Sequence, residues 1–305
     1  MKQLIISLIA VLGFWLPGPT WSQHAVAGNT GLAFLKIGIG GRSSALAEAA
    51  VAGIFDASAT YWNPANLVYA ANQVFFAHSE WLADIRNEYL AVRFTYGKTA
   101  VGVFAQLQNI GGIMQRRAPS TEPTAEIAAH EVAFGISLAR RVRDTWSAGV
   151  SVKYLGERIW AYAANGFAVD FGMHYRPQQL QQIALAVSIH NLGRMDVLRQ
   201  ERPKLPTYLR IGILYEPDLF SDAQKFRLYA GMRKLLSGST IVGFGSEWNA
   251  GRSLSLRAGY MVGQDSQSIS AGLGVQIKHY LLDYAYVPFR FDLGNTHKLS
   301  LTILF

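Results

Sequence analysis

The chain has 305 residues, of which 50% are hydrophobic, 12% aromatic and only 16% charged, with 29 glycines and a formal net charge of +8. Ordinary soluble domains carry about 25% charged residues, so an apolar medium is expected to cover part of this surface. The lack of cysteine excludes a disulfide framework, thiolate metal ligands and a cysteine nucleophile. The basic residues are scattered through strand-like segments, which argues against nucleic acid and assigns the charge to anionic lipid, lipopolysaccharide or an internal lumen.

Met1-Lys2 precedes the apolar run Leu4 to Leu16, then the breaker Pro17 and small residues near Ser22 and Ala27. This pattern predicts a secretory signal peptide over 1–22, with cleavage after Ser22 or instead after Ala27. A membrane-spanning helix needs about 20 apolar residues, more than this run supplies.

Residues 28–68 show no strand-length alternation. They contain Gly28-Asn29-Thr30, then Lys36-Ile37-Gly38-Ile39-Gly40-Gly41-Arg42, an alanine-rich stretch that predicts a short helix over 45–52, and Trp62-Asn63-Pro64-Ala65-Asn66-Leu67. The glycines permit tight turns and Pro64 fixes its own φ, so a compact insert is expected.

From Gln73 onward the dominant signal has period two, the mark of a strand with one apolar and one polar face. In 89–96, Leu90, Val92, Phe94 and Tyr96 alternate with Ala91, Arg93 and Thr95. Fourteen such segments are read, at 73–80, 87–97, 99–109, 129–141, 145–157, 161–175, 181–191, 206–216, 224–233, 239–249, 252–262, 267–278, 280–288 and 296–305. The face opposite the apolar row carries Arg93, Lys153, Arg210, Arg227, Arg257, Lys278 and Lys298, with Glu131, Asp170, Glu247 and Asp283. Alternation alone suits a soluble sandwich or a membrane barrel; the even strand count, the asymmetry of the connections and the aromatic placement favour the barrel. Long connections at 110–128 and 192–205 fall on one side, tight turns on the other, and Tyr96, Trp146, Tyr175, Tyr215 and Trp248 form a girdle near the tight turns. The fold class is therefore all-β, a fourteen-stranded antiparallel transmembrane barrel over 69–305 with an N-terminal hatch over 28–68. A barrel of this size encloses more space than its own side chains fill, which makes a plug reasonable.

The stretch GNTGLAFLKIGIGGR, followed by FDASATYWNPANL, resembles the opening of the PorV/PorQ family, within the wider group of FadL-like barrels. Where this chain has Leu46-Ala47-Glu48, that family often has Met-Gly-Gly. The resemblance implies an outer-membrane accessory or cargo shuttle of the type IX secretion system, acting with attachment-complex proteins on cargo that bears a C-terminal signal domain. The alternative it implies is a FadL-like passive transporter of hydrophobic small molecules. Lys36, Gly38, Gly40, Arg42, Trp62, Asn63 and Pro64 are the hatch residues so marked, with contact to cargo or ligand set against plain turn-shaping and pairing of Lys36 and Arg42 with lumen acids such as Asp170 or Glu131. Candidate contact loops carry Arg116, Arg117, Arg194, Arg199 and Arg202, whose cations suit an acidic partner or lipopolysaccharide phosphates. The final segment alternates Leu299, Leu301, Ile303 and Phe305 with Lys298, Ser300 and Thr302; the terminal Phe305 resembles the signal by which the barrel assembly machinery recognises its clients.

No catalytic constellation emerges. Gly38-Ile39-Gly40 lacks the third glycine of a dinucleotide fingerprint, and His78 with Glu80, or His130 with Glu131, lack a third metal ligand. His174 and His190 fall on inward positions without a recognisable serine motif. No cofactor, metal or enzymatic activity is expected.

Overall fold

A computed structural model describes residues 30–82, 85–116, 122–218, 224–251 and 253–305. The expected leader, together with Gly28, Asn29 and Arg117, lies outside the described residues. Fourteen strands are present among them: β1 Gln73–Glu80, β2 Arg86–Tyr96, β3 Thr99–Gln115, β4 Ala125–Arg143, β5 Trp146–Ile159, β6 Tyr162–Tyr175, β7 Ile183–Met195, β8 Tyr208–Tyr215, β9 Lys225–Leu235, β10 Thr240–Ala250, β11 Leu254–Val262, β12 Ile269–Ile277, β13 Tyr280–Pro288 and β14 Asn295–Leu304. Each pairs antiparallel with its neighbour, and β1 pairs β14 from Gln73↔Leu304 to Glu80↔His297, so the barrel closes. Closure leaves no row of unpaired backbone groups, the condition for a sheet to stand in hydrocarbon.

Alternation sets the two faces. Leu90, Phe94, Phe134, Ile136 and Leu138 are exposed on the outside, whereas Arg93, Lys153, Arg210, Arg257, Lys298, Glu131, Asp170, Glu247 and Asp283 are buried within. Arg227 is inward and half-buried. Lys278 departs from the expected register: it sits exposed in the β12–β13 turn with φ 53, because β12 ends at Ile277.

The two long expected connections are shorter than read, because the strands that lead into them run on to Gln115 and Met195. Gly112, at φ 70, occupies a bulge between Ile110 and Ile113, after which the β3–β4 ladder resumes with Ile113↔Ile127. A bulge interrupts side-chain alternation without ending the strand, which is why 110–128 reads as loop in sequence. Likewise Asn191, at φ 60, marks a register shift in β6–β7, and β7 runs on to pair Arg194 with Phe167. Tyr96, Trp146, Tyr175, Tyr215 and Trp248 lie at the end of the barrel that holds Phe305, and Trp160, Tyr162 and Tyr286 mark the opposite end.

Residues 33–69 fold into short helical turns at Ala33–Lys36, Gly41–Ala45, Ala50–Ala52, Ala59–Trp62 and Pro64–Tyr69, almost wholly buried inside the ring. They bond to inward groups of β5, β6, β7, β10, β12 and β14, so they occupy the lumen and not its rim. Inward glycines admit them: a Cβ on Gly149 would lie 2.5 Å from Ala65 N, and one on Gly231 2.8 Å from Ala49 Cα. The helix expected over 45–52 is broken, since Ala47 (φ 52) and Glu48 (φ 59) are left-handed. Alanine there serves close approach to the wall at Gly243 and Gly259 instead of helix propensity. The left-handed region favours glycine by about 1 kcal/mol or more. Ala47→Gly is accordingly expected to raise barrel stability by about 1 kcal/mol in urea unfolding from micelles. A loss of stability would show that the Ala47 methyl contacts outweigh the backbone strain.

Candidate functional site

The Trp62-Asn63-Pro64 motif is fastened from several sides. Asn63 is extended (φ −164), its Oδ1 accepts from Ala65 N at 3.0 Å to start the Pro64–Tyr69 turn, and its Nδ2 donates to Met173 O of β6 at 3.1 Å. Ser147 Oγ donates to Ala65 O at 2.8 Å and Ser188 Oγ to Trp62 O at 3.3 Å, adding β5 and β7. Asn63 and Pro64 thus shape the turn, as expected of their residue types, and Asn63 also ties it to the wall. Trp62 is fully buried beneath the Arg210 guanidinium, 4.4 Å from its ring, and Arg210 also lies 4.9 Å from the Tyr61 ring and 4.8 Å from Tyr208. A desolvated cation on an aromatic face is worth about 2 kcal/mol, so this stack is a strong clamp.

Arg42 reaches the lumen acid Glu247, with Nη2 2.8 Å from Oε2 and Nε 3.0 Å from Oε1. The expected partners were Asp170 or Glu131; parity in a strand gives the face of an acid but not its height in the barrel. Burial disfavours the Arg42 cation, yet Glu247 more than offsets it and holds the guanidinium well above the ordinary arginine range. Glu247 also receives Arg257 Nε at 2.8 Å, Tyr229 Oη at 2.7 Å and Arg227 Nη1 at 3.4 Å, and Arg257 continues to Asp283 at 2.6 Å. Lys36 instead donates to Thr30 Oγ1 at 3.1 Å. The Gly38 carbonyl accepts from Lys298 Nζ at 2.6 Å, and Gly40 takes φ 79, which a residue with a Cβ rarely adopts.

A second cluster holds Asp170, His190 and Ser188. Asp170 pairs with Lys153 at 2.9 Å and with His190 Nδ1 at 3.2 Å, and His190 Nε2 is 2.8 Å from Ser188 Oγ. Sequence reasoning missed this serine, although its spacing of two from His190 on a strand puts both on the inner face. The order of contacts resembles a nucleophile, base and orienting acid. All four groups are buried, Lys153 already neutralises Asp170, and the cavity beside Asp170 is about 10 Å³, room for a single water and not for an acyl substrate. The cluster therefore acts as a fastening between β5, β6, β7 and Trp62. His174 bonds Ala52 O at 3.3 Å. His78 Nδ1 lies 2.6 Å from Glu88 Oε1, and His130 is exposed while Glu131 is buried on the other face. Among the described residues no three potential metal ligands come together.

The candidate contact residues stand at the mouth opposite the chain's C-terminus. Arg116 follows β3 directly, Arg194 is exposed within β7, and Arg199 and Arg202 are exposed in the β7–β8 connection, where Arg199 lies 5.3 Å over the Tyr162 ring. Phe305 is exposed at the other end, stacked edge-on against Phe94 at 5.8 Å, and its amide donates to Asn72 O.

Residues 20–239 match the family model described as Type IX secretion system protein PorV. The chain belongs to the PorV family. Comparison with curated protein sequences finds no match. Among solved structures, the chain is similar to the Pseudomonas putida toluene transporter TodX, at TM-score 0.62 and 10% identity over 88% of this chain and 99% of that one. It is also similar to the CymD monoaromatic hydrocarbon channel (TM-score 0.61, 13% identity, 88% and 98% covered) and to a Pseudomonas aeruginosa FadL homologue (0.59, 12%, 88% and 99%). At such identities the likeness establishes the fold, a FadL-like barrel, and the family places it in the outer membrane as a type IX secretion protein. The apolar row faces outward and aromatic residues stand at both ends, the pattern expected of a barrel that stands in a membrane.

Proposed function

We propose that this family member is a non-enzymatic binding barrel that holds cargo bearing a C-terminal signal domain at the outer membrane, working with attachment-complex proteins. The observation that carries this reading is the family match over residues 20–239. On it, residues 28–68 form a hatch that keeps the lumen shut, the Arg194, Arg199 and Arg202 cations steer an acidic partner or hold lipopolysaccharide phosphates, and Phe305 is read by the barrel assembly machinery. The rival, passive passage of a hydrophobic molecule as in the named hydrocarbon channels, needs open apolar space beside Trp62 and Asn63. Both residues are fully buried, one under Arg210 and the other bonded to Met173, which supports a closed lumen. Deleting the gene is expected to leave cargo with the C-terminal signal domain in the periplasm, and the purified barrel to bring down cargo or an attachment partner. Arg194→Glu, Arg199→Glu and Arg202→Glu together should weaken that capture while the heat-dependent gel shift of the folded barrel persists. Normal export in the deletion strain, with impaired uptake of a hydrophobic solute, would establish the transporter reading instead.

A further inference from the structure

At the mouth of the barrel that carries the Arg199 loop, the lumen contains a cavity of about 360 Å³ between the Ala33–Gly38 stretch and the ends of β9, β10, β13 and β14. Three cations line it, Lys36, Arg233 and Lys298, against one carboxylate, Glu48. Glu48 is taken by Arg233 at 2.9 Å, and among the described residues neither Lys36 nor Lys298 has a carboxylate within ion-pair distance. Burial, then repulsion from Arg233, lowers the Lys36 ammonium below the ordinary lysine range, with Glu131 opposing. Among the described residues, the cavity thus carries more cations than carboxylates, with Lys36 and Lys298 outside any ion pair.

An independent observation points to a ligand. Ser44 Oγ, Thr296 Oγ1 and Trp81 Nε1 are buried polar atoms without a hydrogen-bond partner, and all three residues line this cavity; Ser44 and Thr296 are 3% and 1% exposed. Leaving one such group unmade costs about 1–3 kcal/mol, and three of the twelve such atoms among the described residues belong to residues around this one cavity. Trp81 and Phe289 add aromatic walls. Hydroxyls and an indole N–H want acceptors and donors, the cations want an anion, and aromatic faces suit the C–H face of a sugar ring.

We propose that this cavity is a binding site for a small, polyhydroxylated anion of monosaccharide size, a sugar acid, with its carboxylate held by Lys36 and Lys298 and its hydroxyls by Ser44, Thr296 and Trp81. The site is separate from the cargo role above and stands or falls without it. The test is calorimetric titration of the folded, full-length mature barrel in micelles at low salt with D-glucuronate, D-glucose and inorganic phosphate. Saturable binding of glucuronate is expected, with glucose at least about tenfold weaker. Lys36→Met should weaken glucuronate by about tenfold, in keeping with loss of a charged hydrogen bond, and Thr296→Val by roughly threefold to tenfold. Lys36 sits on a turn and not in the barrel wall, so its variant reports even if Lys298→Met fails to give the heat-dependent gel shift of a folded barrel. Absence of saturable glucuronate binding, equal binding of glucose, or an unchanged affinity in Lys36→Met would overturn the site. Phosphate bound as tightly as glucuronate would overturn the sugar assignment.

Discussion

Glu247→Ala is expected to destabilise the barrel by about 3–5 kcal/mol, because it removes the only carboxylate among the described residues that Arg42 contacts and strands buried cations beside one another. Arg42, Arg227 and Arg257 all reach Glu247, and Tyr229 donates to it as well. Asp283 remains for Arg257, and Glu216 for Arg227 at 2.6 Å, so the deficit falls on Arg42 and with it on the whole Gly41–Ala45 turn. Two readouts are expected to move together: the denaturant midpoint drops, and limited proteolysis begins to cut within residues 41–53. Adding Arg42→Met should recover part of the loss, since a buried unpaired charge is worse than an apolar group of similar length. A change below about 1 kcal/mol would mean that water reaches Arg42 and that Glu247 is not what fastens the inner segment to β10.

Ile136→Arg carries the second large expected effect, and it separates a membrane barrel from a soluble one. Ile136 lies mid-strand on the outer face of β4, 60% exposed, between Val103 and Val152 in the ladder. In water, an exposed isoleucine away from any packed feature can be exchanged within about 0.5 kcal/mol. In a bilayer the same position meets hydrocarbon, and arginine near the midplane costs about 2–4 kcal/mol. Refolding into lipid vesicles should show that larger loss, whereas Arg140→Lys, exposed near the end of the same strand, should change little. Equal, small effects at both positions would mean that the exposed apolar row does not face lipid.

Much of the barrel was legible because strand alternation is local. A residue's face follows from its parity, so Arg93, Lys153, Arg210 and Asp170 could be placed inward from their neighbours alone. Parity failed where the backbone itself departs from the pleat: the bulges at Gly112 and Asn191 hid the ends of β3 and β7, and the β12–β13 turn put Lys278 outside the ladder. Within residues 30–69 local signals misled further. The alanines of 45–52 look like helix formers, but their small size answers glycines of β9 to β12 that are about 180 residues or more away in the chain.

The family motif, the fourteen strands, the sidedness of charge and the lack of thiol chemistry are properties of the sequence by itself, since each depends on residue identity or near-neighbour spacing. Partner choice is not. That Arg42 meets Glu247 and not Asp170, that Ser188 stands between His190 and Trp62, and that Ser44, Trp81 and Thr296 surround one cationic cavity depend on strand stagger and on how far the inner segment rises in the lumen. Those distances are set only when the barrel closes on β1 and β14, because closure fixes the relative height of every strand around the ring.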